Sequence, residues 1–268
     1  MDRQQHIKLA LSEDQYKKDI TTKILQLDKN CKAIIKAKES FHIYGLKWFS
    51  DVFKSVNKST KIKLKVKDGD LVKKNKVIGE IYGTNHALLN SERVALNYLQ
   101  TMSGTYDKCI RFREKISNKK IQLLHTRKTI PLYRLPLSEA CKAAGCAPHR
   151  YDLSSSILIK ENHLKLSSKP LDLITKAIKK NKIVVVEAKT LKFAKTVSNL
   201  KISRILLDNF TPAMINNFIL SNPKVKVEIS GSVNLSNINK FAIKGVHYIS
   251  VGDLTKNVES KDLSMLIV

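Results

Sequence analysis

The sequence predicts an α/β protein with an α+β sandwich domain over residues 1–107 and a second α/β domain over residues 108–268. The first part contains short runs in which apolar and polar residues alternate. In the second part, fully apolar runs recur and are separated by segments long enough for a helix. Strands that alternate with helices are typical of a parallel sheet, either open or closed into a barrel.

The first domain begins with an amphipathic segment that carries Ile7 and Leu11 on one side. The alternating runs CKAIIKAKES, KIKLKVKDGD and KVIGEIYG follow, and this pattern indicates half-buried strands. Asp68-Gly69 and Asn75 are turn-forming residues that lie between the runs. Together these features predict a small sandwich of helix and sheet.

Residues 90–104, NSERVALNYLQTMSG, predict a helix. Asn90 or Ser91 is suited to cap its start, and Gly104 is suited to end or break it. Arg93 then lies in the first helical turn, where a cation opposes the helix dipole by about 0.3–1 kcal/mol. The residues alone favour a surface arginine. The apolar face predicted for this helix consists of Ala95, Leu96, Leu99 and Met102.

The second domain contains six apolar runs, which are IQLL, SILI, IVVV, RILL, VKVEI and HYISV. They are apolar on both faces, as expected for a sheet that is covered on both sides. Stretches such as SSKPLDLITKAIKKN and NLSNINKFAIKG are long enough to form the intervening helices. We therefore expect about six parallel strands.

Polar residues stand at the last position of these runs or just after it. They are Arg127, Lys128, Lys160, Glu187, Asp208, and the turns Ser230-Gly231-Ser232 and Val251-Gly252-Asp253. All strand carboxyl ends of a parallel sheet open on one rim, which carries the active site in such folds. The pattern therefore predicts that these residues lie close together.

The residue types on this rim indicate what it binds. Cations suit carboxylates or phosphates. Each small-residue turn precedes a predicted helix start, and backbone N–H groups at such a point can cradle a phosphate. Glu187 and Asp208 can hold Mg²⁺, accept sugar hydroxyls or face a developing positive charge. A substrate with phosphates, a sugar and a separate acidic group would use all of them.

The net charge of +26 arises from 49 basic and 23 acidic residues and makes nucleic acid a partner to consider. However, the lysines are spread along the chain, and no aromatic-rich ribbon lies beside them to stack bases. There is no long apolar run, and the charged N-terminus is unlike a signal peptide. Cys31, Cys109, Cys141 and Cys146 lack zinc-site spacing. We expect reduced thiols in a cytoplasmic protein.

Several stretches together carry a family resemblance. They are Asp19-Ile20-Thr21-Thr22, SERVALNYLQTMSG, HTRKT at 125–129, PHR at 148–150, LIKENH at 158–163, LLDNFTP at 206–212, VEISGSV and GVHYISVGDLT. With these motifs the chain resembles quinolinate phosphoribosyltransferase, which converts quinolinate and phosphoribosyl pyrophosphate to nicotinate mononucleotide, pyrophosphate and CO₂ with Mg²⁺.

The resemblance also implies an architecture and an assembly. The second domain would be the α/β barrel of the type II phosphoribosyltransferase fold, and the last residues would pack back on the first domain. The family forms a homodimer whose active sites lie at the interface between protomers.

The resemblance assigns roles to individual residues. Those that match the pocket for the two quinolinate carboxylates are Arg93, Arg127, His149, Arg150 and Lys160. Lys128 matches a lysine near the phosphates. Glu187 and Asp208 match the acidic pair near the ribose and the metal. Ser230, Gly231 and Gly252 match the phosphate turns.

Two alternatives remain open at this point. Pro148 before His149-Arg150, and the serines after that pair, resemble a related phosphoribosyltransferase that is encoded with molybdate transporters and uses a different acceptor. The second alternative is a basic nucleic-acid-binding protein, for which binding would depend steeply on salt.

Overall fold

The computed structural model describes residues 1–24, 29–118, 120–180, 183–221 and 224–268. Within these ranges the α-helices are α1 Arg3–Glu13, α2 Ile20–Ile24, α3 Leu46–Val56, α4 Asn85–Lys115, α5 Arg134–Ala143, α6 Glu161–Lys165, α7 Pro170–Lys179, α8 Leu191–Ser198, α9 Pro212–Ser221 and α10 Asp253–Lys256. The strands of the same ranges are β1 Asn30–Ala37, β2 Phe41–His42, β3 Lys61–Leu64, β4 Leu71–Val72, β5 Val77–Thr84, β6 Gln122–His125, β7 Ala147–Pro148, β8 Ile157–Ile159, β9 Val184–Ala188, β10 Arg204–Asp208, β11 Val227–Ser230, β12 Val246–Val251 and β13 Leu263–Ile267. No helix in these ranges is both long and apolar enough to cross a bilayer.

Contacts divide the chain into two compact units. The first comprises Met1–Lys108, Pro131–Ala144 and Val258–Val268, and the second comprises Cys109–Ile130 and Gly145–Asn257. Residues 131–144 thus group with the first unit, whereas the sequence had placed them in the second domain. The reason lies in α5, because Ala140 is buried in the aromatic core of the first unit and Glu139 accepts a 2.7 Å hydrogen bond from the Trp48 indole N–H.

The first unit is built on an antiparallel sheet of order β13-β1-β5-β3. The predicted turn residues have backbones that suit them, with φ of +97° at Gly69 and +70° at Asn75. In α1, Asp2 caps the first turn, and Ile7 and Leu11 are buried as predicted. The unit is therefore a helix-and-sheet sandwich with a continuous core.

Helix α4 differs from its prediction at both ends. It begins at Asn85 rather than at Asn90 or Ser91, so Arg93 lies in its third turn and the first-turn dipole cost does not apply. The helix also continues through Gly104 to Lys115. This position of the helix requires glycine, because a Cβ atom at Gly104 would lie 1.8 Å from the Glu259 carbonyl oxygen. The predicted apolar face of the helix is buried throughout.

The second unit is built on a parallel sheet that has seven strands in the described residues, in the order β7-β6-β12-β11-β10-β9-β8. Six of them match the six predicted runs, and the seventh, β7, has only two residues. The sheet curls into a half-barrel with β7 and β8 as its ends. Helix α7 forms as predicted, but the stretch NLSNINKFAIKG contains only a 3-10 turn, Ile238–Phe241, among its described residues.

Candidate active site

A cavity of about 410 Å³ lies in the second unit. The residues that line it are Thr126, Arg127, Lys128, His149, Arg150, Leu158, Lys160, Glu187, Lys189, Leu206, Asp208, Ser230 and Ser250. Most of them stand at or just after the last residue of a strand, as the sequence predicted. The carboxyl end of the parallel sheet therefore does gather the predicted rim residues.

Strand alternation explains which side chains line the cavity. Successive side chains of a strand point to opposite faces, so Arg204, Leu206 and Asp208 share one face of β10. By the same rule Glu228 and Ser230 share a face of β11. Leu206, Asp208 and Ser230 line the cavity, which identifies this face as the concave one.

One wall of the cavity carries two neighbouring arginines, Arg127 and Arg150. Partial burial, and then the positive charge of Arg127, lower the pKa of the Arg150 guanidinium. The Nε atom of Arg127 is buried without a hydrogen-bond partner among the described residues. Arg127 and Arg150 repel each other, and the Arg127 Nε–H group has no partner in the described part of the chain. An anionic ligand with more than one carboxylate would satisfy both guanidinium groups.

Glu187 is the carboxylate in the first cavity that forms an ion pair with a lysine of the same cavity. Lys160 Nζ lies 3.5 Å from Glu187 Oε2, across the neighbouring strands β8 and β9. Lys189 also lines the cavity and contacts Glu161 at 2.5 Å. The hydrogen bond to Glu161 raises the pKa of Lys189, with smaller contributions from Glu187 and Asp208. Cations and carboxylates are thus interleaved along this side.

A second cavity of about 300 Å³ is lined by both small-residue turns and also contains Thr126 and Lys128. Gly231 has φ of +100°, and a Cβ atom there would lie 2.2 Å from Asn209 Oδ1, so only glycine fits. Thr255 donates a 2.7 Å hydrogen bond to the Lys128 carbonyl oxygen and ties the Lys128 loop to α10. The two turns bring small residues, and Lys128 brings a cation, to one cavity, which is a combination suited to a phosphate.

A helix starts directly after Gly252 as predicted, but the helix start predicted after Ser232 is not found among the described residues. No α-helix follows Ser232 within the described residues 232–245, and α10 after Gly252 has only four residues. The phosphate cradle would therefore depend on the turn backbones and on Lys128 rather than on a helix dipole.

His149 is held by a buried polar cluster. Its Nδ1 atom lies 2.6 Å from Glu228 Oε1, which also accepts a 2.6 Å hydrogen bond from Ser250 Oγ. Arg204 Nε lies 2.8 Å from the other carboxylate oxygen of Glu228. The remaining ring nitrogen, Nε2, is buried and has no partner among the residues that the structure describes.

Arg93 belongs to the other unit and is exposed on α4. The remaining predicted site residues line one or both of the two cavities. Sequence reasoning missed Glu228, Arg204, Ser250, Lys189 and Thr126, all of which lie in or beneath the site. A signal for one of them was present, because Glu228 interrupts the apolar run VKVEI and a buried carboxylate requires a partner.

Glu187 and Asp208 are the two carboxylates of the first cavity that could hold a Mg²⁺ ion. Among the described residues, no group of three or more His, Cys, Asp or Glu side chains is placed to bind a metal. Mg²⁺ typically keeps several waters and takes one or two carboxylates together with substrate phosphates. Two carboxylates on one wall of the first cavity, with the predicted phosphate turns lining the second, suit that arrangement.

The fold and the two cavities define an α/β protein with a charged site at the carboxyl ends of its strands, which is suited to acidic and phosphorylated small molecules. The chain belongs to the quinolinate phosphoribosyltransferase family, since the model of that family's N-terminal domain matches residues 19–103 and the model of its C-terminal domain matches residues 107–266.

Relatives with this family name cover almost the whole chain. Quinolinate phosphoribosyltransferase (decarboxylating) 1b of Nicotiana tabacum is 32% identical over 287 residues, which span 97% of this chain and 81% of the relative. The crystal structure of nicotinate-nucleotide pyrophosphorylase from Ehrlichia chaffeensis superposes with a TM-score of 0.93 at 29% identity and covers 100% of this chain and 99% of that one. The corresponding enzyme from Francisella tularensis gives a TM-score of 0.88 at 30% identity over 99% and 97% of the two chains.

Proposed function

We propose that this chain is a nicotinate-nucleotide pyrophosphorylase that transfers the phosphoribosyl group of phosphoribosyl pyrophosphate to quinolinate in NAD biosynthesis. The products are nicotinate mononucleotide, pyrophosphate and CO₂. The observation that carries the proposal is a single cavity in which Arg127, Arg150 and Lys160 lie with Glu187 and Asp208. Such a cavity matches the charges of both substrates.

The acceptor would be bound by the cationic wall. Arg127 and Arg150 provide planar guanidinium groups that pair with carboxylates, and quinolinate carries two carboxylates on adjacent ring carbons. Lys160 and His149 complete this wall, and Arg93 of a partner protomer would add a further cation. Fixing both carboxylates positions the pyridine nitrogen for attack on the anomeric carbon.

The donor would be bound by Lys128 and the two small-residue turns. Ser230, Gly231 and Gly252 line the second cavity and would present backbone N–H groups to a phosphate. Since Lys128 and Ser230 line both cavities, the phosphate end of the donor and the reacting carbon would be held by one continuous surface.

The chemical step develops positive charge on the ribose as pyrophosphate leaves. Glu187 and Asp208 face the cavity and would stabilise that charge more in the transition state than in the ground state, which is the requirement for catalysis. Mg²⁺ bound at these carboxylates would supply charge neutralisation for the leaving pyrophosphate. The cationic wall would hold the adduct in place while it loses CO₂.

Two further features belong to the proposal. The active unit would be a homodimer that completes each acceptor pocket with Arg93 of the partner. The enzyme would act in the cytoplasm, where its four thiols stay reduced. The two alternatives drawn from the sequence are not favoured, because both family domains and the named relatives describe the quinolinate enzyme.

The test is incubation with quinolinate, phosphoribosyl pyrophosphate and Mg²⁺, followed by chromatography for nicotinate mononucleotide and capture of released CO₂. Nicotinate, which lacks the second carboxylate, is the matched control acceptor and should react far more slowly. A folded protein that forms no mononucleotide from quinolinate, or that uses nicotinate equally well, would contradict the proposal. Omitting Mg²⁺ in a parallel sample tests the metal separately.

A further inference from the structure

Glu228 is a charged residue in the interior of the half-barrel. It lies in β11 between Val227 and Ile229 and is completely buried. Its register neighbours are Leu206 on β10 and Tyr248 on β12. A carboxylate in such surroundings is stable only if its lone pairs are compensated by charge and hydrogen bonds.

That compensation comes from three side chains around the carboxylate. Oε2 faces Arg204 Nε at 2.8 Å, while Oε1 lies 2.6 Å from both Ser250 Oγ and His149 Nδ1. Arg204 in turn donates a 3.0 Å hydrogen bond to the His149 carbonyl oxygen and stacks on the Tyr248 ring with its Cζ 4.9 Å from the ring centroid. The cluster therefore holds both the ring and the backbone of His149.

The contact with Glu228 determines which ring nitrogen of His149 carries a proton. Arg204 Nη2, which can only donate, lies 3.4 Å from Nδ1, but the contact of Nδ1 with the Glu228 carboxylate is much shorter at 2.6 Å. An ionised carboxylate only accepts hydrogen bonds, so this shorter contact requires Nδ1 to donate. Nε2 is then the ring atom left for a ligand, and it is buried without a partner among the described residues. His149 also lines the larger cavity.

We propose that Glu228, with Arg204 and Ser250, is a positioning site that fixes the His149 ring with Nδ1 protonated and presents Nε2 to the acidic acceptor. This inference rests on the proposed function for the identity of the acceptor. Glu228 does not touch the substrate and acts through His149. A buried carboxylate that orients a functional histidine in this way is a recurring device in enzymes.

The charge of Glu228 has a second effect once the acceptor is bound. To bind a carboxylate, Nε2 must donate a hydrogen bond, so both ring nitrogens then carry protons and the ring is cationic. Glu228 lies on the opposite side of the ring and stabilises that cation. Arg204 contacts the other carboxylate oxygen of Glu228 in the absence of any acceptor, so the cluster is in place before binding.

The test compares Glu228→Gln, which keeps the shape of the side chain but removes its charge, with the double variant Arg204→Met/Glu228→Gln, which leaves no unpaired buried charge. Calorimetry measures the dissociation constants of quinolinate and of phosphoribosyl pyrophosphate, and thermal unfolding measures stability. Glu80→Gln, which removes a carboxylate from a salt-bridged group in the first unit, is the matched control.

We expect Glu228→Gln to weaken quinolinate binding by about 10-fold or more and donor binding by less than about 3-fold, as for other carboxylates that orient a histidine. The double variant should regain much of the lost thermal stability but not the acceptor affinity. Equal losses for both ligands, or recovery of acceptor affinity in the double variant, would show that the cluster is only structural.

A second measurement does not depend on the substrate. Nitrogen NMR of labelled protein should show the His149 ring with its proton on Nδ1, and the signal can be assigned by its loss in His149→Gln. In Arg204→Met/Glu228→Gln the His149 ring should no longer carry its proton preferentially on Nδ1. A ring protonated only on Nε2 in the unmodified protein would overturn the inference, whereas failure of the unmodified protein to bind quinolinate would overturn only the proposed function.

Discussion

Lys160 and Glu187 form an ion pair of 3.5 Å between the ends of two neighbouring strands. The lysine belongs to the predicted acceptor wall, and the carboxylate belongs to the acidic pair predicted for the ribose. The carboxylate is largely buried while the lysine is about half exposed, with relative exposures of 11% and 47%. The proposed acceptor wall and the proposed acidic pair are therefore in contact through these two residues. The effect of a substitution in the acceptor wall can be compared with the effect of one in the acidic pair.

Arg127→Ala and Arg150→Ala should each raise the Michaelis constant for quinolinate far more than that for phosphoribosyl pyrophosphate. Each variant removes a charge-assisted pair worth about 1.5–3 kcal/mol, which corresponds to roughly 10- to 150-fold. Steady-state kinetics with each substrate varied in turn measures the effect. Similar increases in the Michaelis constants of both substrates would show that the two arginines do not act specifically on the acceptor.

Asp208→Asn should lower turnover by about 100-fold, because it removes a charge that faces the developing cation, and should change acceptor binding little. The substitution keeps the shape of the side chain, so its thermal unfolding should match that of the unmodified protein. Asp172→Asn on the exposed part of α7 is the control and should have normal turnover. Normal turnover in Asp208→Asn would exclude this residue from the mechanism.

Lys189→Met should weaken binding of phosphoribosyl pyrophosphate rather than binding of quinolinate. Lys189 is a cavity lysine that Glu161 holds beside Glu187 and Asp208, so its charge lies where a phosphate of the donor would approach. We expect the Michaelis constant for phosphoribosyl pyrophosphate to rise about 10-fold. Lys192 is exposed nearby and lines neither of the two cavities. Lys192→Met is therefore the control and should leave both Michaelis constants unchanged. A larger change for quinolinate would place Lys189 on the acceptor side instead.

Arg93→Ala and Arg127→Ala should each be nearly inactive alone and recover activity when mixed and allowed to exchange subunits. In the proposed dimer each site takes Arg93 from one chain and Arg127 from the other, so a mixed dimer collects both defects in one site and leaves the other intact. Native mass spectrometry confirms that exchange has occurred. Exchange without recovery of activity would mean that Arg93 acts within its own chain or only structurally.

Gly104→Ala should lower the free energy of unfolding by about 1–3 kcal/mol, because the added methyl group cannot occupy the space taken by the Glu259 carbonyl. Asn97→Ala lies on the exposed side of the same helix and should be neutral or slightly stabilising, since alanine is the better helix former. Both effects are measured by thermal unfolding. Equal stability of the two variants would show that the helix and the 258–268 segment separate readily.

The strands of the second unit were predictable because each is a buried apolar run that ends in polar residues. The start of α4 was not predictable, since Asn90 and Ser91 are good caps in isolation but lie inside a longer helix. There Ser91 Oγ donates to the Ala87 carbonyl, as serine does in helix interiors. Gly104 looked like a helix end because its close contact with Glu259 is invisible in local sequence.

For the site, the residue types at strand ends predicted most of the cavity lining, because the parallel topology brings those ends together. The cluster beneath His149 could not be predicted in the same way. Arg204 and Glu228 are 24 positions apart and meet only through the pairing of β10 with β11. Arg93 was assigned by resemblance, since neither helix position nor local charge indicates its role.

The pairing of β13 with β1 has a consequence for biosynthesis. Leu263–Ile267 supplies an edge strand to a sheet whose other strands come from the first 84 residues. The ribosome therefore makes both segments of the second unit, Cys109–Ile130 and Gly145–Asn257, before this sheet can be completed. Until β13 has been made, β1 keeps one edge unpaired, and such an edge can pair with another chain.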